Sequence, residues 1–150
     1  MDYTSQDVLE IIRLAREKGQ RPDLSKKDLT GIGLYKADLS GVDFSGSNLR
    51  ATGLNQTNLS GAILHKAEMS QVGLTGANLS GADLRRTNLF QAQLVNANLQ
   101  NADLRGADLG GADFSQANLT GANLQDARGD SYTRWPLGFD AKAAGVKNVV

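Results

Sequence analysis

The chain has 150 residues, with 16 basic side chains balancing 16 acidic ones, and it has no cysteine. Zero net charge gives no general attraction to nucleic acid, an acidic substrate or a membrane surface, and the lack of thiols excludes disulfides, iron–sulfur clusters and thiol chemistry. No apolar run approaches the roughly 20 residues of a membrane span, and the opening MDYTSQDVLE lacks the basic and apolar regions of a signal peptide, so a cytoplasmic location is expected.

Residues 1–22 are expected to form an N-terminal helical cap. Within them, TSQDVLEIIRLAREK, residues 4–18, reads as an amphipathic helix. Thr4 or Ser5 can cap its start, Asp7 and Glu10 suit its first turn, and Gly19 can end it. Val8, Ile11, Ile12 and Ala15 make an apolar face with Leu9 and Leu14 beside it, which suits a cover over whatever follows.

Residues 23–127 carry an unbroken period of five. From Leu24 to Leu124 every fifth residue is Leu, Phe or Met: 21 centres, of which 18 are Leu, with Phe44, Met69 and Phe114 as the others. Two residues before the centre Ala occurs 12 times, and one residue before it Asp or Asn occurs 15 times. A straight helix turning about 100° per residue would wrap these leucines right round its surface. A straight strand would send them to alternate faces. All centres point inward only if the chain bends once per repeat, which predicts a solenoid with short flat sides. The small residue then fits the interior beside the corner, and Gly or Asn two after the centre, as at Gly41, Gly61 and Asn101, suits a corner of positive φ. Gly33, Gly53 and Gly73 recur every 20 residues, as does LSG from Leu39, Leu59 and Leu79. This supports four repeats per coil.

Residues 128–150 leave the register and are expected to form an irregular capping tail. They hold the lone Trp, Trp135, and Phe139. These two rings are expected to cover the last coil or to make a dimer contact through that end. RGD at Arg128–Asp130 carries no weight as a motif.

The run TGANLSGADLRRTNL and its neighbours resemble the pentapeptide-repeat family, abundant in cyanobacteria. The resemblance implies an all-β solenoid: a right-handed quadrilateral β-helix of about five coils, here capped by the N-terminal α-helix, some 25 Å long at the usual strand spacing. Tails of the form W-P-x-G-F-D are similar to those that follow cyanobacterial members. The family includes gyrase-protecting rods whose negative charge imitates B-form DNA, and regulators of cyanobacterial cell differentiation. The resemblance therefore implies DNA mimicry as an alternative role, which the zero net charge disfavours.

No catalytic constellation emerges. His65 is the lone histidine, no Ser-His-Asp or metal-ligand spacing surrounds it, and a leucine-filled core leaves no obvious cofactor pocket. A non-enzymatic scaffold without cofactor or metal is expected, with another protein as partner, no membrane or nucleic acid, and a monomer or an end-to-end dimer. Its candidate surface lies where the pattern breaks. Ile63 replaces the outward Asp or Asn, and Phe90 and Val95 are outward apolar residues of one coil. With four sides, Lys26, His65, Lys66, Arg85, Arg86 and Arg105 fall in or beside one column, together with Asp43, Asp83 and Asp103.

Overall fold

The computed structural model describes residues 2–149. Its one helix, α1 (Ser5–Glu17), begins with a reciprocal capping box. The Asp7 amide donates to the Thr4 hydroxyl at 3.1 Å and the Thr4 amide donates to the Asp7 carboxylate at 2.8 Å, which satisfies amides that no helical carbonyl can reach. At the other end the Gly19 and Gln20 amides donate to the carbonyls of Arg16 and Ala15, with Gly19 at φ +67°, the double closure that a left-handed glycine permits. Val8 and Ile12 are buried, while Leu9 and Leu14 stay exposed. The Ser5 hydroxyl donates to the Gly33 carbonyl and Arg16 donates to the Ser40 carbonyl, so α1 also covers acceptors on the open edge of the first coil.

The repeats wind as a right-handed quadrilateral β-helix. Single parallel bridges join Asp23 to Asp43, Asp43 to Ile63, Ile63 to Asp83 and Asp83 to Asp103, and the same offset of 20 holds on the other three sides. Side 1 carries the centres Leu24, Phe44, Leu64, Leu84, Leu104 and Leu124. Side 2 carries Leu29 to Leu109, side 3 Leu34 to Phe114, and side 4 Leu39 to Leu119. Each repeat from Leu24 to Leu104 makes three bonds to the next coil. On side 4, for example, the amides of Leu99 and Asn101 donate to the carbonyls of Asn118 and Thr120, and the Asn118 amide donates to the Ala97 carbonyl.

Each residue of the repeat has a distinct physical task. The centres fill the interior, and all of them are buried. Where the small position holds Ser47, Thr52, Thr57 or Thr87 the hydroxyl is buried too, and it donates to the carbonyl three residues earlier, at 2.6–2.8 Å. A buried hydroxyl without such a partner would be costly, and no buried side-chain polar atom lacks one among the described residues. The Asp or Asn before the centre is only partly outward. Its oxygen accepts the amide two residues on, as Asp43 does from Ser45 and Asn78 does from Ser80. This local bond explains why Asp and Asn dominate a position that the sequence alone marks only as polar.

From Leu29 onward each centre's carbonyl accepts the amide three residues later, closing the corner. Positive φ falls at the third residue of this turn, two after the centre, as in type II turns. All 21 such residues from Lys26 to Asp126 have φ near +60°, yet 12 are not glycine. Lys, Arg, Gln, Ala and Asp sit there as well as the expected Gly and Asn. Their long side chains lean over the next coil: the Cγ atoms of Arg86 and Gln91 are 3.4 and 3.2 Å from where a Cβ would stand on Gly106 and Gly111. The left-handed conformation costs about 1–2 kcal/mol per L-residue, and the ladder bonds on both sides of the corner hold it in place.

The ladder runs on past Ala127. Asp108 pairs with Arg128 at the regular offset, Asp113 pairs with Arg134 at an offset of 21, and Arg128 pairs with Lys147. One residue is therefore inserted between Arg128 and Arg134. There the Asp130 carboxylate takes the place of a backbone carbonyl and accepts the Gly111 amide at 3.0 Å, with the Tyr132 and Thr133 amides on the same oxygen. The aspartate of the RGD triplet is thus a fastener of the last turn.

Candidate functional site

Side 1 and the corner after it hold most of the residues that break the pattern. The outward row following the centres runs Ser25, Ser45, His65, Arg85, Arg105 and Gln125, and the row preceding them runs Asp23, Asp43, Ile63, Asp83, Asp103 and Asn123. The corner column is Lys26, Gly46, Lys66, Arg86, Gly106 and Asp126, all with positive φ. A shallow groove of about 280 Å³ lies across these rows, lined by His65, Arg85, Arg86, Arg105, Gly106, Gln125 and Asp126.

The two central arginines are fixed. Arg85 grips Asp83 with two bonds, Nε to Oδ1 at 2.9 Å and Nη2 to Oδ2 at 2.7 Å. Arg105 grips Asp103 in the same way at 2.9 and 2.7 Å. Planar two-point pairing orients the guanidinium, and each carboxylate is held below its usual pKa, chiefly by its arginine's hydrogen bonds. Arg85 also lies 3.9 Å from Asp103, so the four groups form one alternating network. Ile63 stands where the next carboxylate of the row belongs, bridged between Asp43 and Asp83 and half-buried. His65, above it, consequently has no acidic neighbour of the kind that Arg85 and Arg105 have within their own repeats. Lys66 and Arg86 are exposed and form none of the ion pairs found among the described residues.

The structure thus brings His65, Arg85, Arg86 and Arg105 into one groove, with Ile63 and Lys66 on its flank. Phe90 is placed elsewhere. It belongs to side 2, where its ring reaches within 3.1 Å of a Cβ position on Gly110, although 41% of the residue remains exposed. Val95 is half-buried on side 3. Gln125 and Asp126 join the groove because they lie 20 residues after Arg105 and Gly106 in the same columns; the 20-residue offset is the sequence signal for them. Asp126 meets Lys147 at 3.1 Å.

At the C-terminal end Trp135 takes up the next place on side 3. The Phe114 amide donates to the Arg134 carbonyl, and the indole stacks on Phe114 with centroids 5.2 Å apart and planes 4° from parallel. Phe139 also stacks on the indole, with centroids 5.3 Å apart.

No curated protein sequence matches this chain. Solved structures do. Rfr23, a pentapeptide repeat protein from the cyanobacterium Cyanothece 51142, is similar over 87% of this chain and 98% of its own, at 28% identity and a TM-score of 0.78. HetL, a pentapeptide repeat protein involved in heterocyst differentiation regulation in Nostoc sp. strain PCC 7120, is similar at 32% identity and a TM-score of 0.77, over 87% of this chain and 53% of its own. The sequence model described as pentapeptide repeats (8 copies) matches residues 20–50, 53–91, 67–106 and 97–128. With the 20-residue register and the turn at every centre, these matches place the chain in the pentapeptide-repeat family.

Proposed function

We propose that the protein is a non-enzymatic scaffold whose rigid wall presents side 1 to an acidic segment of a partner protein. The carrying observation is the contrast within the basic strip. Arg85 and Arg105 are each held by an aspartate, whereas Lys66 and Arg86 project from the corner without an ion pair among the described residues. A partner carboxylate can reach these two cations without displacing an existing pair. Ile63 and His65 offer half-buried, less polar area beside them, as the centre of an interface needs. The involvement of HetL in differentiation control is compatible with a role exerted through such a surface.

The experiment is affinity capture from native extract with the wild-type chain and with the charge reversal Lys66→Glu/Arg86→Glu. Both residues are exposed corners, so the variant keeps its fold and melting temperature. The reading expects a partner retained by the wild type and lost by the variant; a partner set unchanged by the double reversal overturns it. Imitation of DNA has less support, because basic groups are interleaved with the acids along this wall.

A further inference from the structure

Among the described residues the last coil leaves side 4 of the ladder wholly open, while side 1 keeps the bond from the Asp126 amide to the Gly145 carbonyl. One coil earlier, side 4 uses three groups to bind its successor: the amides of Leu99 and Asn101 and the carbonyl of Ala97. The equivalent groups, the amides of Leu119 and Gly121 and the carbonyl of Ala117, have no hydrogen-bond partner among the described residues. The tail bypasses them. It pairs on side 3 at Arg134 and rejoins the ladder at Gly145, whose carbonyl accepts the Asp126 amide. Between those points Pro136 has no amide to offer. The stretch beside the gap forms a groove of about 400 Å³ lined by Ala117, Leu119, Thr120, Pro136, Leu137 and Phe139 among others. Leu137 is fully exposed.

The opposite end is treated differently, since α1 places Ser5 and Arg16 on the carbonyls of Gly33 and Ser40. Natural sheets guard free edges with charges, proline or covering elements, yet the open run SQANLTGANL, residues 115–124, contains no charged residue. Its groups fix the chemistry of an occupant. That occupant must be extended and parallel, must offer two carbonyls and one amide at the spacing of a single repeat, and must be uncharged to match the edge. It must also carry one apolar side chain to set against Leu119 and the Leu137–Phe139 wall. We propose that residues 117–121 are a strand-addition site for such an uncharged extended segment of a partner protein, which would supply the missing side of the sixth coil. Recognition of this kind draws affinity from the main chain and selectivity from one pocket. The site is separate from side 1 and does not depend on that reading.

The test uses the full chain and a peptide copying residues 94–101, LVNANLQN, which already forms side 4 one coil away. Trp135 is the only tryptophan and reports from beside the groove. Saturable change in its fluorescence is expected. Amide exchange at Leu119 and Gly121 should slow about tenfold at ten times the Kd, with side 1 amides unaffected. A peptide N-methylated at the residue copying Asn98 loses the donor for Ala117 and should not bind. Leu137→Ser, a change at a fully exposed position, should weaken binding while leaving the melt unchanged. Absence of protection at Leu119 and Gly121 at millimolar peptide overturns the proposal, and so does equal binding of the N-methylated peptide. Protection of those amides by self-association of the chain alone would assign the edge to a second copy and likewise overturn it.

Discussion

At the scale of single residues, the corner position decides most about local stability. Ala51 occupies it at φ +54°, where it has neither the freedom of glycine nor a long side chain to lay over the next coil. Ala51→Gly should therefore stabilise the protein, by up to about 1 kcal/mol once glycine's added unfolded-state entropy is deducted. The check is the thermal midpoint. Gly121 is the opposite case: at φ +72°, a Cβ would collide with Oδ1 of Asn101. Gly121→Ala should lower the midpoint by about as much as Ala51→Gly raises it, because the Asn101 side-chain end can swing aside and the positive φ is the cost that remains. Asp130 gives a pH-dependent test. Its pKa is lowered, first by the Gly111 amide and also by Tyr132 and Thr133. A depressed folded pKa contributes stability that is present above the ordinary aspartate value, about 3.9, and that is lost as pH falls through the folded value. Asp130→Asn keeps an acceptor oxygen and should flatten the acid limb of the midpoint-against-pH curve; Asp130→Ala should flatten it and lower the plateau as well.

At the scale of elements, the two ends should fail independently, because each coil touches only its neighbours. Thr4→Ala removes one half of the capping box and should cost about 1 kcal/mol. Hydrogen exchange should show that loss in α1 and the first coil, with the last coil unchanged. Trp135→Ala leaves the Phe114 face uncovered and separates Phe139 from the stack. A buried tryptophan truncation costs about 3–5 kcal/mol, and the partial exposure of Trp135 puts this one at the lower end. Exchange should quicken first at Phe114 and Arg134, whose amides donate to the carbonyls of Arg134 and Ala112 beside the Trp135 turn, before the middle coils respond.

At the scale of the whole molecule, nearly every stabilising contact repeats at an offset of 20. The interior is continuous from Val8 to Val146, with no charged side chain inside it. The ion pairs lie on the outside and are solvated, with their arginine side chains 37–55% exposed. Exposed pairs contribute little and are screened by salt, so the thermal midpoint should move only slightly as sodium chloride is raised towards molar concentration. A large fall would mean that the Arg85–Asp83–Arg105–Asp103 network stabilises the wall. The same alternation of charge predicts no inhibition or protection of DNA gyrase in a supercoiling assay at micromolar protein.

The sequence by itself determined the wall. Leucines five apart can all be buried only by a chain that bends at each repeat, and that constraint is local enough to read from spacing. It also located the helix, a start at Thr4 or Ser5 that the structure resolves to Thr4, and its Gly19 stop, since these depend on neighbours in the chain. It marked Asp and Asn as outward but not their bond to the amide two residues on, which appears only when the turn is built. It favoured Gly and Asn at the corners, yet could not show that Lys, Arg and Gln are also held there, by ladder bonds to neighbouring coils. Tertiary structure alone decided the rest: that Arg85 and Arg105 are tied down while Lys66 and Arg86 form no ion pair among the described residues, that Phe90 lies against Gly110 apart from the groove, and that Trp135 re-enters the side 3 column after an insertion. Each of these depends on residues about 20 apart being brought to one place, and a single side chain leaning one way or the other across that gap leaves no mark on the sequence.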